Sequence, residues 1–497
     1  MGVSQFYAEN FVGGSYDYHA PGESAQRCVN LYPEKIESPS GKTAYCLRSV
    51  KALRAWRSLP QISGTCRGLH FDEGTERLWA VYDRDVWMLE KNDLVPVKVG
   101  QVAAGTGRVS IADNGQQIVF ADGSNLWQAD VDEPAATIAT TWSAISFPTF
   151  GGEAIEPKNA VSLGRMFFVD GAAASTGRKG AIFYTQKNST TFTDVDGVLN
   201  YFEAASQPDA IVALACVGAR LYSLRSRSYD VYSLGDVEIV SRVESVSAEI
   251  GCASKSSVAS IGENLFWLGS AAAGHNSVWM VQGASAPARV STNAIEDKLK
   301  GVDLSAAIGY CFAESGHFFY ALTIRPGWTW VFDLGTGQWH ERADRDWNAG
   351  ENRSWLPALA VTVWDGLVVF GCENGLKIAE GDVDDDGNPV YRLRVSPVYW
   401  SNLVPVVCRD FMLDMEVATT KDLSARPFCM MRVSTDGART FYDVGWRSIG
   451  MVGQFRTEIA WENVGYGRGF VASVAFTEPC DVTIFGARLE IEEGSFR

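Results

Sequence analysis

Apolar and polar positions alternate in short runs along most of this chain, most plainly between residues 247 and 299. Gly251-Cys252 and Ser256-Ser257-Val258-Ala259 lead to Asn264-Leu265-Phe266-Trp267-Leu268-Gly269 and Ser277-Val278-Trp279-Met280-Val281, then Pro287-Ala288-Arg289-Val290-Ser291. Gly, Asn or Ser closes each run. Period-two alternation of this length predicts the strands of a small antiparallel sheet with four members. One such sheet cannot bury both its faces, so several must pack radially as a β-propeller.

The same rhythm recurs on either side. Arg67–Phe71, Arg77–Tyr82, Asp85–Glu90 and Val95–Val99 make a first unit, and others begin near Arg108, Lys158, Ile211, Ser256, Ala306 and Trp355. A spacing of about 40 to 55 residues suits a four-stranded blade with variable loops. The last unit is thin, so six or seven blades are expected, the run Ala44–Val50 being the strand that would complete it. Helical character is scarce, Ala294–Gly301 being one of the few places that has it.

The chain therefore divides into an N-terminal arm (1–62), a propeller (63–385) and a C-terminal domain (386–497). The arm, with its turn-forming Ser38-Pro39-Ser40-Gly41-Lys42, is expected to pack on another domain or subunit. Beyond the Asp-rich stretch at 382–389 the runs lengthen: Phe411–Val417, Phe428–Ser434, Tyr442–Trp446, Phe455–Trp461, Val471–Phe476 and Val482–Ile491. They predict a β-sandwich or an OB-like barrel.

Charge narrows the function. The 497 residues carry 43 Lys and Arg against 59 Asp and Glu, a formal net charge of −16. This argues against wrapping nucleic acid, which needs basic surface. An acidic wall would instead repel a passing duplex and let it slide. No run approaches the roughly 18 apolar residues of a membrane helix. Met1–Phe6 has no secretion signal, and Phe6 stands where myristoylation wants Ser or Thr, so an unprocessed cytoplasmic product is expected. Ten scattered cysteines without a Cys-x-x-Cys pair read as buried free thiols, and most of the 16 tryptophans as blade core.

Candidate chemistry is sparse. Asp382, Asp384, Asp386 and Gly387 match the first half of a calcium loop, although Leu393 stands where its bidentate Glu belongs. The alternatives are a solvated acidic turn or a lumen-facing repellent one. Ser434-Thr435-Asp436-Gly437-Ala438-Arg439-Thr440-Phe441 resembles one Asp box of sialidase-like propellers, with Ala438 in place of Gly. Its Ser and Asp are expected to satisfy the backbone of a hairpin. Arg178 and Lys179, in a small flexible loop, and Arg345 and Arg353, near Asn348, are candidates for touching a partner or channel DNA. The five histidines never stand at metal-ligand spacing, and no hydrolase or phosphate-loop motif is present.

Several stretches resemble one family throughout, the packaged-DNA stabilisation proteins (tail hub or nozzle proteins) of short-tailed bacteriophages. Ser206-Gln207-Pro208-Asp209 is similar to a turn before one of the family's blades, and Ser228–Leu234 to the strand that follows. Gly251–Glu296 is the longest similar block, Arg27–Glu34 resembles the family's arm motif, and Ala487–Ile491 its closing strand. The resemblance implies a virion protein without catalytic residues or cofactor. It also implies a homohexameric ring below the portal and its adaptor, around the channel of DNA ejection, in contact with a tail needle or plug and with tailspikes or fibres. Two other readings are a carbohydrate-active, sialidase-like propeller enzyme, which needs two carboxylates at the propeller axis, and a propeller scaffold for peptides.

Overall fold

Seven antiparallel sheets follow one another along the chain and close into a propeller. In this computed structural model the described residues are 3–493, apart from 19–23, 39–41, 58, 92, 94, 148, 150–153, 173–179, 204–208, 236–239, 244–248, 271–275, 284, 347–350, 354 and 402–403. Blade one is Cys66–Asp72, Arg77–Tyr82, Asp85–Leu89 and Val97–Gln101, each strand paired with the next. Blades two to six have inner strands Ser110–Asp113, Glu156–Leu163, Ile211–Val217, Ala259–Ile261 and Ile308–Glu314.

Each pair of adjacent blades shares its own apolar cluster, because alternate residues of a strand face opposite neighbours. Trp79 meets Phe120 between blades one and two, and Phe266 stacks on Tyr320 between five and six. Trp79, Trp267, Trp330 and Trp364 are fully buried in these seams, as the core reading of the tryptophans expects.

Blade seven is built from both ends of the propeller sequence. Ala360–Trp364, Leu367–Cys372 and Gly375–Ala379 are completed by Leu53–Ala55, with Ile378 opposite Arg54. The inner strand of blade seven then packs beside that of blade one. The expected closing run, Ala44–Val50, lies elsewhere: Tyr45–Ser49 pairs with Leu31–Lys35 and with Thr483 and Ile484. Both runs are short and apolar-alternating, and only the distant partner decides which joins which sheet.

The C-terminal domain is a β-sandwich. One sheet runs Leu31–Lys35, Tyr45–Ser49, Thr483–Glu493, Val406–Met415, Ile459–Gly467, with Val3–Tyr7 also on Thr483–Glu493. The other runs Ser24–Val29, Arg392–Val395, Gly469–Phe476, Phe428–Ser434, Tyr442–Ser448. Phe11, Leu47, Phe411, Trp461, Phe476 and Ile484 fill the space between them. The arm thus supplies strands to both sheets and the outer strand of blade seven. Its Ser24–Val29 also joins the outer strand of blade six, Trp339–Glu341, where Val29 pairs in parallel with Glu341.

Candidate functional site

The seam between propeller and sandwich concentrates buried polar groups. Arg27 Nη2 lies 2.6 Å from Glu341 Oε2, while Ser15 Oγ donates to Glu341 Oε1 at 3.0 Å. Asn30 takes a left-handed backbone (φ 52°), which turns its side chain to bridge two elements. Its Nδ2 donates to the carbonyls of Ala343 and Tyr391, both at 2.8 Å, and its Oδ1 accepts from Ala343 N–H at 3.0 Å. Arg394 is fully buried and donates to the carbonyls of Phe11, Asn10, Gly14 and Arg27 and to the Gln26 side chain. A buried guanidinium with so many acceptors ties the irregular backbone at Asn10, Phe11 and Gly14 to the strand Ser24–Val29.

The Asp-rich turn sits at the same seam. Asp382 accepts from Arg392 Nη2 at 2.9 Å; Asp384 accepts from the N–H groups of Asp386 (3.0 Å) and Asn388 (2.8 Å). Asp385 Oδ1 accepts from Ala55 N–H at 2.7 Å, clipping the closing strand of blade seven. The carboxylates of Asp382 and Asp384 are therefore spent on separate neighbours. Among the described residues no group of three His, Cys, Asp or Glu is arranged to hold a metal ion. Asp384, Asp385 and Asp386, with Lys51, Lys377 and Asp344, border a cavity of about 430 Å³ between arm, blades six and seven.

The propeller axis brings together side chains that no sequence motif marks. Arg108 precedes the inner strand of blade two, yet its Nη1 donates to the carbonyls of Ser256 (3.0 Å) and Gly309 (3.3 Å), on blades five and six. Lys255, before the inner strand of blade five, donates to the carbonyl of Lys158 on blade three. None of these three blade pairs is adjacent in the ring, so both side chains reach across its centre. Burial lowers the Lys255 ammonium to about 8, against the opposing pull of Asp170. Burial raises the Asp170 carboxyl to about 6, although Asn159 N–H and Nδ2 both donate to it. This end of the axis thus holds cations bonded to backbone carbonyls, and Asp170, whose charge acts on Lys255, is tied to Asn159 of its own blade.

A family model described as Bacteriophage P22 Gp10, beta-propeller, matches residues 12–349. The chain belongs to this family of phage stabilisation proteins. The match runs from the arm through blade six and ends before the inner strand of blade seven. No curated protein matches. Among solved structures, the chain is similar to one titled mitotic checkpoint complex (12% identity, TM-score 0.39, 69% of this chain and 96% of that one). Another is the N-terminal domain of Nup159 (10%, 0.40, 70% and 97%). A third is the extracellular domain of the putative hybrid two-component system BT4673 from B. thetaiotaomicron (7%, 0.42, 80% and 45%). At these scores they carry no functional weight.

The family-like motifs do structural work. Asp209 Oδ2 accepts from the N–H groups of Arg227 (2.7 Å) and Ser228 (3.1 Å), and its Oδ1 from Ser228 Oγ (3.0 Å), fixing the turn before Tyr229–Leu234. In the Asp-box-like loop, Ser434 Oγ accepts from Ala438 N–H at 2.9 Å. Asp436 Oδ1 accepts from Arg439 and Thr440 N–H, both at 3.0 Å. Desolvation pushes the Asp436 carboxyl up, but hydrogen bonds from Thr440, Ser434 and Arg439 outweigh it and hold it at about 2. The loop lies in the sandwich, away from the blades.

Of the basic candidates, Arg178 and Lys179 fall outside the described residues. Arg345 and Arg353 lie on a two-stranded hairpin, Asp344–Asp346 with Glu351–Arg353, between blades six and seven. His70 bonds Asp113 at 2.6 Å, His317 bonds Asp333 at 2.9 Å, and His340 is buried; His19 and His275 lie outside the described residues. All ten cysteines are free. No helix among the described residues is long and apolar enough to cross a membrane.

Proposed function

We propose that this phage structural protein is a tail hub, or nozzle, subunit. Six copies form a ring below the portal-adaptor complex, extend its channel, retain the packaged DNA and carry the needle or plug and the tailspikes or fibres. The observation that most supports a mechanical role is the axis crossed by Arg108 and Lys255. A glycan-cleaving enzyme built on a propeller needs an open pocket at its axis lined by two carboxylates. A load-bearing strut needs its blades tied together instead, and two cations bonded across the centre do that.

Electrostatics fits the same role. Residues 1–385 carry 45 Asp and Glu against 31 Lys and Arg, whereas residues 386–497 carry 14 against 12. The propeller and arm therefore hold nearly all of the net negative charge, −14 of −16. Turned towards the channel, that surface repels duplex phosphates and keeps DNA mobile at ejection.

The test is an electron-microscopy reconstruction of the full chain mixed with purified portal and adaptor. A six-fold ring that prolongs the channel is the expected result. A chain that stays monomeric and ignores the connector overturns the reading, and glycan-hydrolysis assays then become the next step.

A further inference from the structure

Three cations meet where the inner strands of the propeller begin, each bonded to carbonyls and none ion-paired among the described residues. Arg108 Nη1 is spent on Ser256 and Gly309, and Lys255 on Lys158. Arg67, the second residue of the inner strand of blade one, is buried. Its Nε donates to the Gly107 carbonyl at 2.8 Å, and its Nη1 to those of Asp83 and Ala103, both at 2.7 Å. Arg108 Nε and Nη2 and Arg67 Nη2 find no acceptor among the described residues. Arginines buried elsewhere have what these lack. Arg77, Arg342 and Arg392 each pair with a carboxylate, and Arg394 donates from all three of its nitrogens.

The surrounding charges leave this group short of anions. Burial lowers Arg108, and the titratable neighbours opposing it are Cys66, Tyr320 and Cys311, all raised by burial and so neutral at pH 7. After burial and Asp170, Lys255 feels the repulsion of Arg108 and Arg67 and then the pull of Asp122. Burial lowers Arg67 against Asp122 and Asp83. Each of these carboxylates is engaged by other donors. Asn159 holds Asp170, and Thr65 N–H holds Asp83 at 3.0 Å. Asp122 accepts from the N–H groups of Ala103, Ser124 and Asn125 and from Trp127 Nε1. With exposed Lys158 at the same strand end, four cations face three carboxylates. A cation drawn out of water is costly until an anion joins it.

We propose that this end of the propeller axis binds a phosphate-type dianion between Arg108, Lys255 and Arg67. Its oxygens accept from the unused Nε and Nη2 of Arg108, from Lys255 Nζ and from Arg67 Nη2. The free edge of a guanidinium matches two oxygens of a phosphate, and the ammonium adds a point charge. One ion thereby ties blades one, two and five together. Inorganic phosphate and the terminal phosphate of a nucleic-acid strand share this chemistry. The site lies within one chain and needs no ring, so it stands or fails apart from the reading above.

The test is isothermal titration of the full chain with sodium phosphate at pH 7, against sodium chloride of equal ionic strength. One saturable site per chain is expected, with a melting temperature that rises with phosphate and not with chloride. Arg108→Met and Lys255→Met should each weaken binding about tenfold, the loss of one charge-assisted contact. Arg108→Lys keeps the charge and should lose less; circular dichroism checks that every variant is folded. Competition by a 5′-phosphorylated trinucleotide, and not by its unphosphorylated twin, would add a strand end as a source; competition by neither would assign the site to the free ion. Absence of phosphate binding in the unaltered chain overturns the proposal. Binding that survives both methionine variants places the ion elsewhere and overturns it equally.

Discussion

Arg27 and Glu341 meet at 2.6 Å, and through them the arm is fixed to the outer strand of blade six. Glu341 is buried, whereas Arg27 keeps 38% of its side chain exposed. The arm is thereby a shared part of two domains, since the same segment goes on to build the sandwich sheets and to close blade seven.

Arg27→Ala leaves Glu341 buried with Ser15 as its remaining side-chain donor. The expected cost is about 1–3 kcal/mol, below that of a fully buried pair because water reaches the arginine side. Denaturant unfolding measures it, and limited proteolysis should cut sooner within the first thirty or so residues. Unchanged stability would mean that apolar packing alone holds the seam.

Arg108→Met removes both bonds across the axis and strands the Ser256 and Gly309 carbonyls. A loss of about 1–3 kcal/mol is expected. Arg108→Lys should recover only part of it, since a point ammonium cannot reproduce the guanidinium fork. Urea unfolding of the three proteins decides; equal stability would make the crossing incidental.

Arg54→Pro places a residue without N–H in the middle of the strand that completes blade seven, opposite Ile378. Proline is tolerated poorly inside a paired strand, and a loss of about 2–3 kcal/mol is expected, of the size seen for proline inside regular structure. Hydrogen exchange should rise first in Gly375–Ala379. Protection unchanged there would show that blade seven closes without this strand.

Ala438 adopts φ 67°, a left-handed conformation that costs a side chain about 1 kcal/mol. Ala438→Gly is therefore expected to raise stability by about 0.5–1 kcal/mol, the entropy of the freer unfolded chain offsetting part of the gain. A lower melting temperature would mean that the methyl group makes packing worth more than its strain.

Asp436 titrates at about 2 in the folded chain against an ordinary 3.8. A carboxyl depressed by folding stabilises above its unfolded pKa, and that contribution is lost as pH falls from about 4 to 2. The stability gap between the native chain and Asp436→Asn should shrink over that window. A gap that stays constant down to pH 2 would assign the loss to geometry and not to charge.

The repeated four-strand units, their spacing and the change of rhythm near residue 385 were legible in the sequence, because half-buried strands must alternate with period two. The turn role of Asp436 was legible too, since Ser and Asp at that spacing cap local backbone, and local bonds leave local patterns. Other features depended on partners hundreds of residues away. Leu53–Ala55, not Ala44–Val50, closes blade seven, because two similar short strands are told apart only by the edge each finds. Arg108, Lys255 and Arg394 are single basic residues with no surrounding motif, and their importance lies in the carbonyls that folding brings to them. The Asp-rich stretch carried a loop-like pattern, but the fold turned Asp382 to Arg392 and Asp385 to the backbone of Ala55. Periodicity is a property of neighbours in the chain and can be read there. Pairing across the axis and along the seam is a property of neighbours in space, set by which edges and buried charges remain to be satisfied once the sheets have formed.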